Sequence, residues 1–297
     1  MRLLSGKFRE MGPGSGSLVC CGPLFGSEPV MEHLKRKGMK RVEGLEQLSS
    51  EDMVVLPVWG EEIETMDELR AHGIRILNTT CPRDAISHKL AYRLAREGYG
   101  VIVVGCSDSA AVRALMSRVA KGRREQMEAL GESGKRAFAG TVVDATCGKD
   151  PDLRRIPEDV THVAIIAQAN VGIEAYRTVV AKAATRFEEV RAYNTVCRSV
   201  AARFQEAARL AELCDALLIV GDDNIETKEM RYLCKLSGNH EVYLTPSIEF
   251  IPPDIYDRHQ TVGIVSSTAT PDWILVNVVE ELRRHGKAGV EEGPAAG

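Results

Sequence analysis

Short apolar, β-branched runs alternate with longer charged stretches of helical spacing along almost the whole chain, and this alternation is the feature that most constrains the fold. The strand-like runs span residues 18–20, 53–56, 74–77, 101–104, 141–143, 163–166, 216–220, 241–244 and 261–265. Helical spacing occupies residues 29–37, 85–96, 110–130, 172–189, 199–213, 228–236 and 271–285. Runs that are apolar throughout, such as Val101-Ile102-Val103-Val104, predict strands buried on both faces. Repeated β-then-α units predict an α/β protein with parallel sheets covered by helices. In such sheets ligands sit beyond the carboxyl ends of the strands. The residues directly after each strand are therefore where chemistry is expected.

A chain of 297 residues is long enough for about two domains or three small ones. Hydrophobic residues make up 44% and charged residues 27%, which excludes disorder as a description of the whole chain. The net charge of −4 gives no support to nucleic-acid binding, which usually needs a basic excess. No apolar run reaches the ~18 residues that span a bilayer, and the segment from Met1 to Arg9 lacks the apolar stretch of a signal peptide. A cytoplasmic protein with no membrane partner is expected. The Gly/Ser punctuation of residues 12–17 and the Gly/Glu/Ala-rich end at 287–297 predict flexible termini.

Eight cysteines stand at positions 20, 21, 81, 106, 147, 197, 214 and 234, with no Cys-x-x-Cys pair among them. In a reducing compartment they are either small buried hydrophobes or ligands of a soft metal centre. Three of them close similar local motifs: Asn78-Thr79-Thr80-Cys81, Asp144-Ala145-Thr146-Cys147 and Asn194-Thr195-Val196-Cys197. Cys20, Cys21 and Cys106 also fall at strand ends, whereas Cys214 and Cys234 lie in or beside helical runs and are assigned to packing. The strand-end thiols point to a thiophilic ligand, most readily an iron–sulfur centre.

Asn78-Thr79-Thr80-Cys81-Pro82 is similar to the Asp-Ala-Thr-Cys-Pro motif of the LytB/IspH family, the 4-hydroxy-3-methylbut-2-enyl diphosphate reductases. Further landmarks follow in family order. Val103-Val104-Gly105-Cys106 resembles a strand of the middle domain, and Gln168-Ala169-Asn170 falls where the family has Gln-Thr-Thr. Cys197 falls at the family's third cysteine, Phe204-Gln205-Glu206-Ala207 resembles the stretch after it, and Thr270-Pro271-Asp272 resembles the opening of the closing helix. The resemblance covers about residues 18–286. It implies three small α/β domains about a pseudo-threefold axis, with a [4Fe–4S] cluster in a central cavity. Three cysteines would hold the cluster, and an open iron would bind and reductively remove an allylic hydroxyl. It also implies a small-molecule substrate and an external electron donor such as ferredoxin or flavodoxin.

Placed on this chain, the resemblance implies domains at residues 18–74 (truncated), 75–190 and 191–286. Cys81 and Cys197 become cluster ligands, and Cys20, Cys21 and Cys147 remain candidates for the third. Asp108, Asp144 and Gln168 are candidate catalytic residues; Ser109, Asn170, Asn224, Glu226 and Thr268 are candidate substrate contacts. The departures matter as much. The family's N-terminal Gly-Phe-Cys-Ala-Gly segment has no counterpart here. Its diphosphate-binding His-Glu-x-x-His-Asn stretch aligns with Gly22 to Ser27, and its Gly-His-Pro-Glu with Asp108-Ser109-Ala110-Ala111. Its Ser-x-Asn phosphate loop is replaced by Asn224-Ile225-Glu226-Thr227, and its last phosphate-binding Ser by Ala269. Lys149, Arg198 and Lys228 follow strand-end loops and are candidate replacement donors. Three functions remain open: a reductase acting on an altered substrate, a non-catalytic cluster-binding or sensor relative, and the ordinary isoprenoid reductase.

Overall fold

The computed structural model describes residues 16–131, 138–238 and 241–285. Its strands form three separate sheets, every pairing in them parallel. The first runs β2-β1-β3-β4, from β1 (Leu18–Cys20), β2 (Lys40–Arg41), β3 (Met53–Val55) and β4 (Arg75–Leu77). The second runs β6-β5-β7-β8, from β5 (Gly100–Val104), β6 (Gly140–Val143), β7 (His162–Ala167) and β8 (Glu189–Ala192). The third runs β10-β9-β11, from β9 (Ala216–Val220), β10 (Val242–Thr245) and β11 (Val262–Ser266). Around them lie α1 (Glu28–Arg36), α2 (Ile63–Ala71), α3 (Pro82–Arg96), α4 (Ala110–Leu130), α5 (Ile173–Ala184), α6 (Arg198–Leu213), α7 (Ile225–Leu236), α8 (Ile255–Arg258) and α9 (Asp272–His285). The α/β class with parallel sheets is as the alternation predicts. No helix among the described residues is long and apolar enough to cross a membrane.

Alternation of side chains along a strand explains the layering. On β5, Ile102 and Val104 enter one core with Val163, Ile165 and Val179, while Val101 and Val103 enter another with Leu94, Leu115 and Ile166. On β9, Leu217 and Ile219 face α6 and α7, and Leu218 and Val220 face Ile274 and Val278 of α9. Each such side chain contributes roughly 1.5–3 kcal/mol by leaving water.

The structure moves several boundaries. β4 pairs with β3, Val54 opposite Ile76, so the strand expected to open the second domain at residue 75 completes the first sheet. The expected divide at 190/191 falls inside β8. The expected flexible ends, 1–17 and 287–297, lie outside the described residues except for Gly16 and Ser17. Ser17 is held: its N–H donates to Asp52 Oδ1 at 2.9 Å and its carbonyl accepts from Met53. β2, β8, α2 and α8 were not expected from the sequence.

Polar contacts tie the sheets to one another, among them Ile63 N–H to Ser117 Oγ at 3.2 Å between the first and second. Glu28 N–H at the start of α1 donates to Asp222 of the third sheet's first loop at 3.2 Å. Cys147 N–H, after β6, donates to Glu229 of α7 at 3.0 Å.

Candidate functional site

The three Asn/Asp-to-Cys motifs have one local cause. Asn78 Oδ1 accepts from Thr80 N–H at 3.0 Å, Asp144 Oδ1 from Thr146 N–H at 3.0 Å, and Asn194 Oδ1 from Val196 N–H at 3.1 Å. All three are Asx turns that stop a strand and redirect the chain. They end β4, β6 and β8.

After the turn the three cysteines diverge. Cys81 and Cys197 are built alike. Each sits at the residue before a helix, α3 and α6 respectively. Each donates its backbone N–H to the loop after the neighbouring strand, Cys81 to Val58 O at 2.6 Å and Cys197 to Ala169 O at 2.8 Å. In each motif the first Thr ties the turn to that neighbour, Thr79 through Leu56 O and Thr195 through both backbone groups of Ala167. Both thiols are partly exposed. The Arg83 side chain on α3 reaches the loop before α6, donating to Val196 O at 3.3 Å. Asp84 stands against the Cys81 thiol, and burial pushes its carboxyl up to about 6. Cys147 instead adopts φ 51° and ψ 39°, the positive-φ region, and heads a turn whose N–H is spent on Glu229. Burial and the Glu229 charge raise its thiol.

The other thiols separate by environment. Cys20, a sequence candidate for the third ligand, is buried in the first sheet's core, its thiol directed to Lys40 O at 3.6 Å. It closes β1 and packs against Val30, Leu34 and Val55 in that core. Cys21 is exposed. Cys234 is buried beside Ala207 O, and desolvation lifts its thiol to about 11.

Gln168 joins the loops at the second sheet's edge. It is 2% exposed, accepts from Cys106 N–H at 3.2 Å, and donates to Ser109 Oγ at 3.1 Å and Asn170 Oδ1 at 2.8 Å. Three of the candidate residues thus share one network. Asp144 is bound to Lys149 and Thr146, which hold its carboxyl below its usual range against some desolvation. Asp108 is exposed at the turn before α4.

At the third sheet, Asn224 caps α7, accepting from Glu226 and Thr227 N–H at 2.9 and 3.2 Å, with Thr227 closing the box. The expected substrate contact Asn224 therefore serves the helix. Glu226 is 2% exposed and accepts from both the N–H and the hydroxyl of Thr268.

Asp84, Glu229, Arg83 and Arg203 were not singled out from the sequence. Asp84 was legible as an acid one turn beyond a Cys-Pro helix start; the others carry no local signal. A [4Fe–4S] cluster held by three cysteines needs three converging thiols. Cys81 and Cys197 are the pair built alike, each at the residue before a helix. Among the described residues no three of His, Cys, Asp and Glu form a metal-holding group, so the donor set does not fit at the third.

The fold is parallel α/β, with the chemistry-bearing residues at strand-end loops. The LytB protein family model matches residues 7–283, and the chain belongs to that family. It is similar to 4-hydroxy-3-methylbut-2-enyl diphosphate reductase of Anaeromyxobacter sp. (strain Fw109-5), 27% identical over 271 residues, covering 91% of this chain and 87% of that one. The enzyme of that name from Aquifex aeolicus (strain VF5) is 27% identical over 270 residues, covering 90% and 86%. A solved structure of (E)-4-hydroxy-3-methyl-but-2-enyl diphosphate reductase, described as the terminal enzyme of the non-mevalonate pathway, superposes with a TM-score of 0.64 at 26% identity, covering 95% of this chain and 94% of that one. The corresponding reductase from Plasmodium falciparum gives a TM-score of 0.80 at 14% identity, a likeness of fold alone.

Proposed function

We propose that the chain is an oxidoreductase of the LytB type that removes a hydroxyl from a small oxygenated substrate less anionic than a diphosphate. Electrons come from an external donor of the ferredoxin or flavodoxin kind. The observation that carries this reading is the shared construction of Cys81 and Cys197 at the starts of α3 and α6, linked by the bond from the Arg83 side chain to Val196 O. In this reading the two thiolates are ligands of an iron–sulfur centre, which supplies redox and Lewis-acid chemistry when bound. Cys20, Cys21 and Cys147 remain the candidates for a third thiolate.

The chain's own groups set the rest of the site. Gln168 fixes the Cys106, Ser109 and Asn170 loops relative to one another, so that the second sheet's edge is preorganised. Asp144, paired with Lys149 and bonded by Thr146, is held in its ionised form. Asp108, exposed, is the carboxylate positioned to exchange protons with solvent.

The test is anaerobic purification with iron and sulfide analysis, followed by reduction assays. Bound iron with broad brown absorption is expected, reduced several-fold in Cys81→Ser and Cys197→Ser and unchanged in Cys214→Ser. Iron and sulfide near zero after reconstitution would overturn the reading. Turnover of 4-hydroxy-3-methylbut-2-enyl diphosphate within about tenfold of the 1–10³ s⁻¹ usual for enzymes would overturn the altered substrate alone.

A further inference from the structure

We infer that the groove between α1 and α9 is a docking site for a partner protein, one that presents a large apolar side chain ringed by acidic residues. The inference goes beyond the reading of the strand-end loops and uses none of their cysteines.

The groove has a volume of about 220 Å³. It lies between Glu32 and Arg36 of α1, Ile248 and Glu249 of the turn after β10, and Trp273 and Asn277 of α9. That volume is below the roughly 300–1,000 Å³ of small-molecule pockets and suits one inserted side chain. Large apolar groups around it stand in water. Trp273 is 41% exposed, and Phe250, at the end of the turn that carries Ile248, is 62% exposed. Ile248 and Val276 are exposed as well, Val276 three residues beyond Trp273 on the same side of α9. The His33 ring of α1 lies 6.0 Å from the Trp273 ring and braces the indole from across the groove. An exposed tryptophan, an arginine and apolar neighbours around a concavity have the make-up of an interface centre.

Charge states the chemistry of the partner. Five of the seven residues 35–41 are cations, in a chain whose net charge is −4. Lys35, Arg36, Lys37, Lys40 and Arg41 are all exposed. Of these five, only Lys35 forms an ion pair with a described residue, Glu32 at 3.6 Å. Arg36 belongs to both features, the basic run and the groove wall. The two acids of the groove are engaged, Glu32 by Lys35 and Glu249 by the Ser247 hydroxyl. A cation excess beside an apolar cleft attracts an acidic surface and repels a second copy of the same face. Exposed Glu32 and Glu43 bound the run on either side, which leaves too short a pole for a continuous row of phosphates. The cleft is concave, so a protruding side chain fills it and a flat bilayer does not.

The probe is an end-blocked peptide with one phenylalanine between short runs of aspartate and glutamate, titrated calorimetrically into the full-length chain. The wild type is expected to bind with a dissociation constant below about 100 μM, weakening several-fold as salt is raised. Arg36→Glu and Trp273→Ala are each expected to weaken binding at least fivefold, with circular dichroism to check folding. Arg154→Glu, the same charge change elsewhere on the surface, is expected to leave it within twofold. Should Trp273→Ala fail to fold, Arg36→Glu and a peptide with serine in place of phenylalanine decide by the same criterion. No binding, an equal loss in Arg154→Glu, or equal binding of the serine peptide would overturn the inference. So would equally tight binding of a DNA oligonucleotide or of phosphatidylserine vesicles, or a wild-type dimer that Trp273→Ala abolishes. Iron and turnover play no part in these measurements, so their failure leaves the Cys81/Cys197 reading standing, and absence of iron leaves the groove standing.

Discussion

Glu229 accepts the backbone N–H of Cys147 at 3.0 Å and also that of Gly172, so one carboxylate on α7 holds the two loops that flank the second sheet's edge. The residue is 3% exposed. Glu229→Ala leaves two N–H groups without their acceptor and is expected to cost about 2–3 kcal/mol in urea unfolding. Glu229→Gln keeps an acceptor oxygen and is expected to cost less than half as much. Equal losses would place the effect in packing rather than in the bonds.

Cys147 carries the positive φ that L side chains avoid. Cys147→Gly is expected to change stability by less than about 1 kcal/mol, relief of strain offsetting the freer unfolded chain. Cys147→Val, β-branched, is expected to lose about 2 kcal/mol or more. The pair also reports on ligation: iron retained in the glycine variant removes Cys147 from the candidates and leaves Cys20 and Cys21.

His88 sits under the Gly60 turn, with its ring against the position a Gly60 side chain would fill. Burial, with the Arg118 charge, lowers it from 6.5 to about 4 against a bond its ring donates to the Trp59 carbonyl. The unfolded chain therefore binds a proton near pH 6.5 that the fold refuses until about pH 4. Stability should fall as pH drops through that window, by about 3 kcal/mol at its foot. His88→Gln should flatten this part of the profile in thermal melts at pH 4, 5, 6 and 7. An unchanged slope would assign the pH dependence to other groups.

Gln168→Leu matches the volume and removes three hydrogen bonds. A loss of about 2–3 kcal/mol is expected, with amide exchange speeding at Cys106 before the core of β5 opens. A uniform increase across the sheet would mean that the network supports the whole sheet and not its edge loops.

The alternation in the sequence carried most of the fold because β5 and β9 are apolar throughout and their helices are not. β8 was missed because Glu189-Val190-Arg191-Ala192 is an edge strand with charges on it, and β2 because two charged residues carry no period at all. α2 was legible in hindsight: Ile63, Met66 and Leu69 recur at helical spacing, with Ile63 and Leu69 buried. At the site, the recurring Asn/Asp-to-Cys pattern was real, but its cause is turn chemistry shared by all three copies. Local sequence could not say that only two of these three cysteines would stand directly before a long helix. Nor could it show that Glu226 turns back to Thr268, because that contact spans 42 residues.

The sheet margins differ in how well they resist a second chain. β2, at one margin of the first sheet, is two charged residues long, and β8 at the second sheet carries Glu189 and Arg191. Charge and brevity are what keep an unpaired strand from recruiting another. At the third sheet both marginal strands, β10 (Val-Tyr-Leu-Thr) and β11 (Val-Gly-Ile-Val-Ser), are uncharged. β11 is shielded on one face by α9, whose apolar side packs on Ile264 and Val262. Partial detachment of that last helix would uncover an uncharged five-residue strand, so self-association under mild denaturing stress should begin at the carboxyl-terminal third of the chain.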